Sequence, residues 1–192
     1  MTLSTYEPPP LEIKITLALG LTVLSPYYRS FAKSLNLRGN ERVLDFGSGS
    51  GICTRHIAAR LQRSGGHLDC VDVSHGWMEV IRKTLRRYDN ASYHLGHITK
   101  LDLPASAYDA VVVHFVLHDI PATERPDVIN ALARKLKPGG RLLLREPAGE
   151  GLELDELRSL TLSAGLYPSI LDVRRILIGT VIDGSFILTN QV

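Results

Sequence analysis

Cysteine is nearly absent from this chain of 192 residues, where only Cys53 and Cys70 occur. Two thiols cannot build a disulfide framework, and a chain of this length buries enough core to need none, so both are expected as reduced, packed side chains. Long apolar runs are missing as well. The longest near the start, residues 15–24, falls far short of the roughly 20 residues a membrane-crossing helix requires. Glu7 and Glu12 precede that run where a secretory leader carries basic residues, and Pro26-Tyr27-Tyr28 makes a poor cleavage region; a cytoplasmic protein with no transmembrane segment is expected. No sign of charge dominates. With 22 basic and 20 acidic residues the formal net charge is +2, and the basic side chains are scattered, which argues against a nucleic-acid partner. Repeats and low-complexity tracts are lacking too. His114, His118 and Asp119 make the one grouping that resembles a metal set, but His114 ends an expected strand, so the two imidazoles do not share a helical face and no metal is expected.

What is present is a globular composition, 44% hydrophobic and 22% charged, sized for a single domain over residues 1–192. Its organising stretch is Val43-Leu44-Asp45-Phe46-Gly47-Ser48-Gly49-Ser50-Gly51. Val43, Leu44 and Phe46 suit a buried parallel strand, and glycines at alternate positions permit positive φ and close approach of backbone to a ligand. Residues 52–64 then read as a helix whose first-turn N–H groups can receive an anionic group. A dinucleotide fingerprint would need a third glycine at position 52, where Ile52 stands.

From there strands and helices alternate. Strands are expected over Arg42–Phe46, residues 67–73, Ala91–Leu95, residues 108–115 and residues 141–146. Between them lie helices over residues 52–64, after a Ser74 cap, and over residues 127–136, the last stopped by Pro138-Gly139-Gly140. A helix over residues 154–164 precedes a β-rich tail, in which Asp183-Gly184 between apolar runs signals a hairpin turn. Alternation of this kind argues for a parallel sheet with helices on both faces, its last strand turned antiparallel by the hairpin.

The pattern D-x-G-x-G-x-G resembles motif I of the class I S-adenosylmethionine-dependent methyltransferases. Asp72, at the end of the second strand, stands where an acid can accept hydrogen bonds from ribose hydroxyls. Gly96-His97-Ile98 with Leu101-Asp102-Leu103-Pro104 resembles the family's adenine-binding turn, although His97 stands where Asp is commoner. Tyr108-Asp109 with its valine run and Phe115 to Asp119 resembles the fourth strand and the segment after it. Leu136-Lys137-Pro138-Gly139-Gly140-Arg141 resembles the entry to the fifth. The resemblance covers about residues 40 to 147, and the chain is similar to the broad small-molecule group that includes the ubiquinone and menaquinone biosynthesis methyltransferases. It implies an α/β, Rossmann-like, seven-stranded, mostly parallel sheet in the order 3-2-1-4-5-7-6 and S-adenosylmethionine as cofactor. It also implies Asp45, Gly47, Ser48, Gly49, Gly51, Asp72, Val73, His97, Ile98, His114 and Phe115 as cofactor-binding residues.

Methyl transfer from a sulfonium is a direct displacement, so the protein has to align a nucleophile, exclude water and, where needed, take a proton. His118, with His114 in reserve, is the candidate base, and Tyr27, Tyr28, His118 and Glu146 are the candidate acceptor-side residues. Alternatives are an aminopropyltransferase-type enzyme, disfavoured for want of that family's acidic pattern, and an inactive cofactor-binding partner module. The acceptor is expected to be a small molecule. Few residues separate the fifth strand from the next helix, so the acceptor pocket must come largely from the N-terminal helices. Residues 1–38 are expected to form a helical cap, with Pro8-Pro9-Pro10 leading into a helix over residues 11–24 that is apolar on several sides. An active-site lid, a homodimer contact or a membrane surface would cover it.

Overall fold

The computed structural model describes residues 7–189, so residues 1–6 of the expected cap lie outside the described residues. Seven strands, β1 (Arg42–Phe46), β2 (His67–Asp72), β3 (Ala91–Leu95), β4 (Tyr108–His114), β5 (Leu136–Pro147), β6 (Leu166–Ile176) and β7 (Gly179–Leu188), form one sheet in the order 3-2-1-4-5-7-6. Pairings β2 with β3, β1 with β4 and β4 with β5 are parallel, whereas β7 runs antiparallel to both β5 and β6. The helices are α1 (Pro10–Leu21), α2 (Ser25–Ser34), α3 (Thr54–Gln62), α4 (His75–Thr84), α5 (Arg125–Lys135) and α6 (Leu154–Ser163). Among the described residues no helix is long and apolar enough to cross a membrane. The described residues divide into two compact units: residues 7–41 together with Gly47–His97, and Arg42–Phe46 together with residues 98–189.

In the first unit α1 stops at Leu21, and α2 begins at Ser25 with Pro26 inside its first turn. Pro26 suits the opening of this second helix, because a first-turn residue has no intrahelical use for an N–H. Leu11, Ile15 and Leu19 of α1 are exposed. Its one buried residue is Gly20, where a side chain would strike Ile52, so α1 lies against the segment just beyond the glycine turn. The Arg55 guanidinium adds a hydrogen bond to the Ser25 hydroxyl at 2.9 Å. Helix α4 starts as its sequence indicates: the Ser74 hydroxyl accepts the Trp77 N–H at 3.0 Å, and Met78, Val80 and Ile81 are buried.

In the second unit the core is β4, whose residues from Ala110 to Val113 are fully buried, as a central parallel strand requires. Helix α5 ends at Lys135, as expected ahead of Pro138-Gly139-Gly140, but Leu136 already pairs with Tyr108, so these three residues lie inside β5, which starts before the expected Arg141. The register shift between Tyr108 and Ala110 accommodates them. The hairpin turn is at residues 177–178, and Asp183-Gly184 lies inside β7 instead of at the turn. Both residues serve packing. Asp183 receives the Arg145 guanidinium at 2.5 and 2.9 Å and also pairs with Arg174. At Gly184 a Cβ would meet the Phe186 ring at 2.5 Å and Leu144 at 3.1 Å, so a side chain is excluded there.

Candidate active site

The glycine turn of the first unit is built on β2. The N–H groups of Gly47 and Ser48 both donate to the Val71 carbonyl, at 2.9 and 3.0 Å. Gly49 has φ +50°, and its N–H donates to Asp72 Oδ2 at 2.8 Å. A Cβ on Gly49 would meet only the Gly47 carbonyl, at 3.9 Å, which leaves open space over this stretch of backbone. Gly51 differs: it has φ +74°, and a Cβ there would strike Ile81 at 2.6 Å, so its role is to let the turn close on α4. Asp72 Oδ1 accepts the Ser74 N–H at 2.9 Å. Burial raises the Asp72 carboxyl above its ordinary range, against the N–H donors that favour its charge, and the neighbouring Glu7 carboxylate adds to the rise. Open space over Gly49 beside a carboxylate that can accept from hydroxyl donors fits a ribose. Tyr27 and Tyr28 stack edge to face at 5.1 Å. Tyr28 is half-buried, and its hydroxyl pKa is raised by burial and, to a lesser degree, by the charge of Cys53. Val73 is exposed beside Asp72, and His97, half-buried, closes this unit.

In the second unit Asp45 and Ile98 are buried. His114, half-buried, ends β4; desolvation, and then the Arg145 charge, push its pKa down to about 3, so it is a neutral and weak base. Phe115 comes next in a left-handed conformation, φ +59°, with its N–H on the Arg145 carbonyl at 2.9 Å and its ring 4.3 Å from that of His114. Bulky residues adopt that conformation only where their surroundings hold it, and such sites cluster at ligand contacts. His118 lies in a 3₁₀ turn, Leu117–Asp119. Its Nδ1 bonds Glu146 Oε2 at 2.8 Å, and its Nε2 lies 3.4 Å from the exposed Asp119 carboxylate. The hydrogen bond to Glu146 raises the His118 pKa above 6.5 against a smaller opposing effect of burial. Glu146 is fully buried, and its Oε1 also accepts the N–H groups of Val116 and Leu117, each at 3.0 Å. Of the two histidines, His118 alone is hydrogen-bonded to a buried carboxylate through Nδ1.

Two residues of these surroundings are absent from the expected set. Arg125 is buried and donates to the carbonyls of Ile120 (2.9 Å), Gly151 (2.7 Å) and His118 (3.2 Å) and to Glu156 Oε1 (2.8 Å), holding the His118 turn to the segment after β5. A cation in the first turn of a helix opposes the helix dipole, and that misplacement was the available signal. The other is Glu7, which reaches the start of α4.

A glycine turn beside an acid that ends the second strand, on a sheet ordered 3-2-1-4-5-7-6, defines a Rossmann-like cofactor-binding protein of the methyltransferase type. Residues 43–140 match the family described as a methyltransferase domain, and the chain belongs to that family. It is 29% identical over 133 residues to the demethylmenaquinone methyltransferase of Tropheryma whipplei (strain Twist), covering 69% of this chain and 53% of that one. It is 33% identical over 113 residues to the ubiquinone/menaquinone biosynthesis C-methyltransferase UbiE of Pectobacterium carotovorum, covering 57% and 44%. The chain thus spans about half the length of these curated relatives. A SAM-dependent methyltransferase from Aquifex aeolicus shares the fold, with a TM-score of 0.74 at 18% identity, over 95% of this chain and 100% of that one.

Proposed function

We propose that this chain is an S-adenosylmethionine-dependent methyltransferase acting on a small molecule, with residues 1–38 serving as a lid within one domain. The observation that carries the cofactor reading is Asp72, which ties the glycine turn to the start of α4 through Gly49 and Ser74 beside the open backbone at Gly49. When bound, the cofactor supplies a methyl group already activated by positive sulfur. Asp72 would accept the ribose hydroxyls, with Val73 beside it; the backbone of Gly47, Ser48 and Gly49 would lie along the ligand where no Cβ intervenes, and Gly51 would let the turn close. Asp45, His97, Ile98, His114 and Phe115 are assigned to the cofactor by family resemblance.

The chain's own chemistry is assigned to His118. With Nδ1–H donating to the Glu146 carboxylate, the Nε2 lone pair is left to take a proton from an acceptor O–H, N–H or activated C–H group. Glu146 therefore acts through His118 rather than on the acceptor, and Tyr27 and Tyr28 would line the acceptor side. Leu11, Ile15 and Leu19 give the lid an apolar face that a bound acceptor, or a second copy of the chain, would cover. We place the protein in the cytoplasm, without a nucleic-acid partner.

The names of the relatives make a quinone-type ring the first acceptor to test. With methyl-labelled S-adenosylmethionine, label is expected to pass to a reduced naphthoquinone or a related phenol and to be lost in His118→Ala. Cofactor binding with no transfer across a broad panel of O, N and C nucleophiles would favour the inactive binding module instead. Hydrogen exchange over residues 11–35 is expected to slow on adding S-adenosylhomocysteine; protection independent of ligand, with loss of a dimer on deletion of residues 1–24, would make the segment an interface.

A further inference from the structure

Glu7 reaches across 69 residues of sequence to the first turn of α4. Its Oε1 accepts the His75 N–H at 2.8 Å, and its Oε2 accepts the Gly76 N–H at 3.0 Å and the Ser74 hydroxyl at 2.8 Å. Ser74 in turn accepts from Trp77, so Glu7 and Ser74 together satisfy the three N–H groups that open the helix. The Ser74 N–H goes to Asp72. One serine is therefore held by two carboxylates: Glu7 fixes its hydroxyl, and Asp72 its main-chain N–H.

The site is shaped for this contact. Gly76 stands where a Cβ would press on Glu7 Oε2 at 3.2 Å and on Pro8 at 3.4 Å, and Pro8 is itself buried. Residues 8–10 are all proline, and α1 starts at Pro10 from an extended Pro9. A run of prolines transmits position where a flexible linker would not. A carboxylate seated on the N–H groups and the positive end of α4 is favoured electrostatically, and its own pKa is lowered by those same N–H donors.

We infer that Glu7 is a positioning residue for the cofactor: seated on α4, it orients Ser74 and through it the Asp72 carboxylate, and its proline strut fixes α1. The inference rests on the cofactor reading above. Seating of Glu7 lowers the entropy cost of presenting Asp72 to a ribose, so cofactor affinity and order in α1 depend on one carboxylate.

The test compares wild type, Glu7→Ala and Glu7→Gln by calorimetry with S-adenosylhomocysteine, and by hydrogen exchange of the ligand-free chains. Glu7→Ala is expected to weaken binding about three- to tenfold, with Glu7→Gln between it and wild type because an amide keeps one acceptor. Without ligand, the amides of His75 and Gly76 and residues 10–21 should exchange faster in Glu7→Ala. Added formate, a carboxylate that can reoccupy the start of α4, should restore part of the affinity of Glu7→Ala and leave wild type unchanged. Equal affinities in wild type and Glu7→Ala overturn the inference while leaving the cofactor reading intact. Weakened binding with no change in exchange at residues 75–76 and no response to formate also overturns it. A wild-type chain that does not bind S-adenosylhomocysteine overturns the cofactor reading itself.

Discussion

Glu146 Oε2 accepts both the Nδ1 proton of His118, at 2.8 Å, and the His118 backbone N–H, at 3.3 Å. One carboxylate therefore sets the position of the residue, the tautomer of its ring and its basicity. Glu146→Gln removes the largest cause of the raised His118 pKa and leaves burial, which acts downward. If His118 is the base, rate rises with pH through its pKa, so the acidic limb of the wild-type profile lies above pH 6.5 and moves to lower pH in Glu146→Gln. Turnover at the optimum should fall about tenfold, because the weaker base gives up driving force. The stability linkage has the opposite pH sign. A raised folded-state pKa gives stability that is complete below about 6.5 and is lost as pH rises through the folded value. Denaturation as a function of pH should show that loss in wild type and not in Glu146→Gln.

Arg125 holds four acceptors from a buried position. Arg125→Met keeps the volume but leaves three carbonyls and Glu156 without it. Urea unfolding should report a loss of about 2–4 kcal/mol, the range expected when a buried cation's partners are orphaned. Turnover should fall more than cofactor affinity, since the His118 carbonyl is one of those partners.

Gly184 offers a check on the hairpin. Gly184→Ala pushes a methyl group into the buried Phe186 ring, and thermal unfolding should show a loss of about 1–3 kcal/mol, the usual cost of overpacking.

Much of this protein is legible in its sequence because the relevant signals are local. Glycine spacing, an acid ending a strand, Ser74 ahead of an amphipathic helix and the apolar run of β4 each act within a few residues. What is not legible depends on partners far apart. Asp183 lies 38 residues from Arg145, and once that ion pair is unseen, Asp183-Gly184 reads as a turn. Glu146 lies 28 residues from His118, so sequence places it near the acceptor but not on the Nδ1 of the base. Glu7 and Arg125 are ordinary charged residues until their partners are brought to them.

Calorimetry with S-adenosylhomocysteine tests the central claim most directly. The account predicts binding at micromolar concentration or tighter to wild type. Asp72→Ala should weaken it by about 1–3 kcal/mol, the range for removing a charged hydrogen-bond acceptor from paired hydroxyls. Tight binding of NADH with none of S-adenosylhomocysteine would contradict the account.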